Sequence, residues 1–128
     1  MNPITVVHFS SALLVAAGGA IGCVLRFLSI QAVTRLHAGT FPLGTMLVNI
    51  VGSFLIGVVL AKYGQEHSVR AFVVSGMLGG FTTFSAFSWD TLQLVQHGRS
   101  IEAILYVAGS LIISLMAVAL GYALMRGA

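Results

Sequence analysis

Charge is what this chain has least of. Only six of its 128 residues are Lys or Arg and three are Asp or Glu, 7% in all, whereas 58% are hydrophobic. A soluble domain spends about a quarter of its residues on charge to cover its surface. With so little charge, most of this surface must face lipid. The basic residues stand singly, so the net charge of +3 gathers into no patch that would bind nucleic acid. A lone cysteine, Cys23, excludes a disulfide within the chain and a cysteine metal cluster. It sits in an apolar run as a small packed side chain. No Lys or Arg precedes the first apolar run, which is too long for the core of a cleaved signal peptide and reads as a retained helix. The chain has no nucleophile–base–acid set and no phosphate loop, which argues against an enzyme.

What is present is four long apolar runs separated by short polar loops. The first carries only Arg26 as a charge, the second none, and the third none before Asp90. The runs are too long for strands and lack the alternation of a barrel. They predict an all-α protein: one transmembrane domain over 1–128, with helices at about 6–33, 43–61, 69–95 and 101–125, the third broken near 79–84. With four spans, Lys62, Arg70 and Arg126 share one side and Arg35 and Arg99 the other. Orientation follows an imbalance of Lys and Arg. Here it is close to nil, which points to insertion both ways and to assembly of oppositely oriented copies. The alternative is that the weak bias is enough to orient the chain. Small residues recur four apart at Gly18–Gly22, Ser53–Gly57, Ser110–Ser114 and Ala117–Gly121, a spacing that lets helices approach closely in lipid.

The third run holds the densest chemistry. Gly76, Gly79, Gly80, Thr82, Thr83, Ser85 and Ser88 put glycines and hydroxyls in mid-span, where paired glycines followed by β-branched residues weaken a helix. Backbone groups freed by a break survive in a membrane only if they are buried in protein, line water or hold an ion. Carbonyls near Gly79 and Thr82 can hold a hard cation; an unbroken helix with packing glycines is the other reading. Phe84 and Phe87 share a helix face, and their positive ring edges can stabilise a small anion or simply pack. Asn49, within the second run, must find a partner, either a neighbouring helix or an ion. Ser110 and Ser114 form a polar strip on the fourth helix with Tyr106 one turn earlier, unless the serines bond back to their own backbone. Arg26 is the one intramembrane cation, close enough to the end of its run to snorkel. Asp90 can face a vestibule or pair with a base.

Three strings carry a resemblance: Gly-x-x-x-Arg at 22–26, Gly-Thr-x-x-Val-Asn at 44–49, and Gly-x-x-Gly-Gly-x-Thr-Thr-Phe-Ser-x-Phe-Ser at 76–88. Together they resemble the Fluc, or CrcB, family of fluoride channels over nearly the whole chain. The resemblance implies an antiparallel, dual-topology homodimer in a bacterial inner membrane, with two fluoride pores and a structural sodium ion at the dimer centre. It implies that the main-chain carbonyls of Gly79 and Thr82 from both subunits hold the sodium. Phe84 and Phe87 would present ring edges to fluoride, Asn49 would be the pore amide, and Ser110 and Ser114 the hydroxyl track. Ser85 would be a polar position of the break, Tyr106 the family tyrosine, and Arg26 a structural or vestibule residue. Two positions depart from the pattern: Ala86 stands where the family often has Thr, and Asp90 where it often has Glu. The rival reading is a small dual-topology, proton-coupled multidrug exporter. That chemistry needs a membrane carboxylate, and Asp90 alone is a poor candidate. A scaffold subunit would leave the hydroxyls and Asn49 in three different spans without a purpose.

Overall fold

An uninterrupted apolar sequence in lipid has one local way to satisfy its own N–H and C=O groups, which is to coil into a helix. The computed structural model describes residues 9–127, and all of their regular structure is helical. Helix α1 is Phe9–Leu36 and α2 is Leu43–Tyr63. The third span has two parts. The first, α3, covers 67–81, and the second, α4, is Phe84–Gln96. The last helix, α5, is Ser100–Arg126. The start of the first helix, expected near residue 6, lies outside the described residues.

Four spans are long and apolar enough to cross a membrane: Phe9–Leu36, Leu43–Tyr63, His67–Gln96 and Ser100–Arg126. Even the shortest, at 21 residues, reaches about 30 Å at ~1.5 Å per residue, the thickness of the hydrocarbon layer. The outward-facing side chains agree: Leu25, Phe27, Leu28, Ile112, Leu115 and Met116 are all exposed. Between α4 and α5 the chain turns at Gly98, whose φ of 73° only glycine adopts freely. There the Arg99 N–H reaches the Leu94 carbonyl and the Gly98 N–H the Val95 carbonyl, closing α4 with a Schellman motif.

Glycines set how the spans pack. α2 lies chiefly against α5, and α1 against the first part of the third span. A side chain at Gly57 would strike the Val118 carbonyl, and one at Gly121 the Phe54 carbonyl, so α2 and α5 meet backbone to backbone. They run parallel, since each follows a return from the other end. On α1, side chains at Gly18 and Gly22 would meet the carbonyls of Phe72 and Met77. Gly18 and Gly22 on one side and Gly57 and Gly121 on the other thus serve close helix approach.

Two irregularities shape the third span. Residues Arg70–Leu78 wind as a π-helix, wider than an α-helix and common near functional sites; the sequence reading foresaw no such stretch. Gly76 lies within it, directly over Gly18. The break then comes at Thr82 and Thr83, whose φ, ψ of −88°, 158° and −153°, 121° are extended, within the expected window of 79–84.

Candidate functional site: a cleft at the helix break

A break in mid-span strands backbone groups, and Asn49 of α2 takes up two of them. Its Oδ1 accepts the Thr83 N–H at 2.7 Å, and its Nδ2 donates to the Thr83 carbonyl at 2.9 Å. One Nδ2 hydrogen is left over, because an amide nitrogen carries two. Thr83 contributes its own side chain: Oγ1 accepts the Ala86 N–H at 3.1 Å and caps α4. The Thr83 N–H would have reached the Gly79 carbonyl in an unbroken α-helix. Because it goes to Asn49 instead, the Gly79 carbonyl loses that donor. Thr82 stays tied to α3, with N–H and Oγ1 both donating to the Leu78 carbonyl.

The break opens a cleft of about 360 Å³ between α2, α4 and α5. It is lined by Asn49, Ser53, Ile56, Thr82, Thr83, Phe84, Phe87, Ser110, Leu111, Ser114, Leu115 and Val118. Of the seven residues the sequence reading gave to the pore, the structure brings Asn49, Phe84, Phe87, Ser110 and Ser114 to one cleft, and Thr82, expected for its carbonyl at a cation site, lines it as well. Ser110 is 5% exposed, and its Oγ has no hydrogen-bond partner among the described residues. It does not bond back to its own helix. A buried hydroxyl without a partner costs about 1–3 kcal/mol, a cost that a donor or acceptor entering the cleft would relieve.

The aromatic wall continues from the cleft into the core. Phe84 and Phe87 have ring centroids 5.5 Å apart at 42°. Phe87 leans on Tyr106 at 5.2 Å, and Phe41 meets Tyr106 edge-on at 5.6 Å. Tyr106 is fully buried and lies outside the cleft lining. Its hydroxyl donates to Asp90 Oδ2 at 3.2 Å. Tyr106 therefore backs Phe87 rather than facing the cleft. Phe84 is 75% exposed, so most of its ring is open to whatever lies beside this chain.

Two expected residues lie elsewhere. Ser85 is on the far side of the break, in a second cavity of about 560 Å³ that it shares with Arg26, Gln31, Thr83 and Cys23, which is exposed rather than packed as expected. Its Oγ is 3.3 Å from Thr83 Oγ1. Arg26 does not snorkel from a span end, because α1 continues to Leu36. Its Nη1 donates to the Thr82 carbonyl at 3.4 Å, so the one intramembrane cation stands at the break, outside the first cleft. Asp90 lines a mouth of about 370 Å³ with Thr40, Pro42, Gln93, His97 and Arg99. There Arg99 makes a two-pronged ion pair with Glu102, whose Nε–Oε1 arm is 2.8 Å. The sequence reading missed Thr83 as cap and clamp partner, though a Thr just before a helix start is a capping signal. It also missed Ser53 as a cleft residue, having assigned it to helix packing with Gly57.

The cleft offers a free amide hydrogen, the unpaired Ser110 hydroxyl and two aromatic rings, and no Lys or Arg is among its lining residues. Such a set suits a small anion in transit. Comparison with known proteins points the same way. The family described as "CrcB-like protein, Camphor Resistance (CrcB)" matches residues 13–122. The "Fluoride-specific ion channel FluC" of Rhizobium meliloti is 45% identical over 118 residues, covering 89% of this chain and 94% of that one. Its namesake in Rhizobium etli is 47% identical over 119 residues, with 90% and 95% covered. The one in Cereibacter sphaeroides is 48% identical over 121 residues, with 92% and 96% covered. A match that takes in the break, the Asn49 helix and the serine strip alike leaves no element of the site outside it, and this chain belongs to the CrcB-like family.

Proposed function

We propose that the protein is a fluoride channel, passing the anion down its electrochemical gradient through the cleft beside the helix break. The observation that carries this reading is the convergence of Asn49, Phe84, Phe87, Ser110 and Ser114 on one cleft, with the Ser110 hydroxyl unpaired. Family membership and relatives named as fluoride-specific channels support it.

Fluoride is small and strongly hydrated, so stripping its water is the main barrier. The cleft replaces that water in steps. The spare Nδ2 hydrogen of Asn49 and the Ser110 and Ser114 hydroxyls donate, and the Phe84 and Phe87 ring edges add weak positive potential. Arg26 is on the other side of the break, so no full charge traps the ion, and a site that conducts must also release. Hydrogen fluoride enters cells as a neutral acid and ionises in a more alkaline cytoplasm. A channel then lets the membrane potential, about 2.3 kcal/mol per charge per 100 mV, drive the anion out. No step of this is enzymatic chemistry.

The working unit in this reading is an antiparallel homodimer with two pores, inserted in both orientations in a bacterial inner membrane. Ser75, Gly79, Phe84, Ser85 and Ser88 are all exposed on one subunit at mid-span. Lipid offers polar groups nothing, and a second copy would cover them. A structural sodium at the centre of such a dimer fits the chain's own groups. The Gly79 carbonyl has lost its usual N–H donor to Asn49. The Thr82 carbonyl gives one lone pair to Arg26 and keeps the other. Two carbonyls are too few for a hard cation, and the same pair from a partner would double the number.

The test is efflux from liposomes holding purified protein and loaded with potassium fluoride or potassium chloride, with valinomycin to carry potassium. Fast fluoride release with little chloride release is expected. No fluoride release from well-inserted protein would overturn the reading.

A further inference from the structure

The cleft closes at one end and leads on at the other. Past Ser53 and Ser114 its lining is Ile56, Leu115 and Val118, and there Gly57 and Gly121 bring the backbones of α2 and α5 together. At the opposite end Phe87 leans on Tyr106, whose hydroxyl donates to Asp90. Asp90 lines two adjoining cavities of about 370 and 340 Å³, which also share Thr40, Pro42 and Gln93. Together they make a polar mouth on the open side of the cleft.

The charge of this mouth can be counted. Helices α1 and α4 finish at this end and α2 and α5 begin here, so their dipoles roughly offset one another. Asp90 and Arg99 are the Asp, Glu, Lys and Arg side chains that line the two cavities. Arg99 is balanced by its ion pair with Glu102 at the start of α5. Arg35, in the last turn of α1, lines neither cavity, and α2 brings no charged side chain to them. That leaves the negative charge of Asp90, which an anion must pass. Two histidines stand beside it, one in each cavity: His97 just after α4 and His37 just after α1. The His97 ring hydrogen-bonds through Nδ1 to the Gln93 carbonyl at 2.7 Å. A carbonyl only accepts, so Nδ1 carries a hydrogen and Nε2 is the atom that takes up or gives off a proton. Gly39 leaves room for the His37 ring, since a side chain there would strike His37 Nε2.

We propose that His37 and His97 set the sign of the mouth's charge, so that protonating them speeds fluoride through it. The assignment rests on the channel reading above. Histidine changes charge between about pH 5 and 8. With both rings neutral the mouth carries the single negative charge of Asp90, and with both protonated it carries a net positive charge. A positive mouth raises the local concentration of an anion, so flux should rise as pH falls.

The test is fluoride current across a planar bilayer in dilute potassium fluoride, with both sides perfused from about pH 7.5 to about pH 5.5. Hydrogen fluoride is neutral and carries no current. One charge about 10 Å from an ion in water changes its local concentration about twofold. The wild-type current should therefore rise about fourfold, and the rise should shrink in concentrated salt. His97 is exposed and His37 partly so, and glutamine at either should leave the fold intact. His37→Gln and His97→Gln should each keep about a twofold rise, and the double variant should give a flat profile. A second readout is fluoride release from liposomes at about pH 7.5, where His97→Lys, with its fixed charge, should run about twofold faster than His97→Gln. A wild-type current that ignores pH, a pH dependence that survives in the double variant, or equal release from the Lys and Gln variants would each overturn the assignment. Those results come with a conducting wild type and leave the channel standing, whereas a wild type that passes no fluoride at any pH removes both.

Discussion

Asn49 serves two ends with one amide. It pairs both backbone groups of Thr83 and keeps one hydrogen for the cleft. Asn49→Ala would leave a buried N–H and C=O without partners, a cost of about 2 kcal/mol or more. Its thermal midpoint in detergent should fall clearly, along with fluoride flux. Phe84 allows a cleaner separation. Because its ring is 75% exposed on the subunit, Phe84→Ile should fold with unchanged stability yet slow fluoride efflux by about tenfold or more, the ring-edge contribution having gone. Normal flux from folded Phe84→Ile would remove that ring from the pore lining. At this scale much of the site was legible. An Asn, serines four apart and a Phe pair are rare inside lipid and each needs a reason. Ser85 was not legible. Helical spacing cannot be counted across two extended residues, and the extended backbone at Thr82 and Thr83 turns Ser85 toward Arg26 while its neighbour Phe84 faces the cleft.

The elements divide into those that hold and those that yield. α2 and α5 are unbroken, parallel and joined through Gly57 and Gly121. Gly121→Leu would force their backbones apart, and overpacking of this kind costs about 1–3 kcal/mol or more. The variant should lose its monodisperse elution, and normal elution would mean that the α2–α5 contact is softer than its geometry implies. The third span yields at two places, and only one was readable. Gly79-Gly80 followed by two threonines announces a break. The π-helix over Arg70–Leu78 has no such signature, because its residues are ordinary for a membrane α-helix. Its winding goes with the close backbone approach of α1 at Gly18 and Gly22, a tertiary matter that local sequence does not encode. Thr83→Val keeps the backbone pairing to Asn49 but removes the cap of α4, which should cost about 1 kcal/mol. A thermal midpoint equal to wild type would show that Asn49 alone secures the break.

For the whole molecule, a single chain leaves polar groups uncovered in mid-span. Ser75, Gly79, Ser85 and Ser88 lie exposed at mid-span, and Lys62, Arg70 and Arg126 nearly balance Arg35 and Arg99 across the two ends. The inverted partner proposed above would account for both facts: it would cover the polar face and would need no charge bias to form. A single cysteine at Ser100, in a Cys23→Ala background, should be labelled from both sides of native membranes. Labelling from one side only would exclude dual topology. The four spans were readable from composition and run length; the meeting of α2 with α5, which builds the cleft, was not, since small-residue spacing marks helix faces without naming their partners.

The central claim is that the cleft at the break passes fluoride and rejects chloride. Its most direct test is the reversal potential of a planar bilayer containing the protein, with fluoride on one side and chloride on the other. The account predicts a macroscopic current that reverses far toward the potential at which fluoride alone is permeant. A reversal near zero would mean that chloride passes equally well, and no current from inserted protein would mean that the cleft is not a pore.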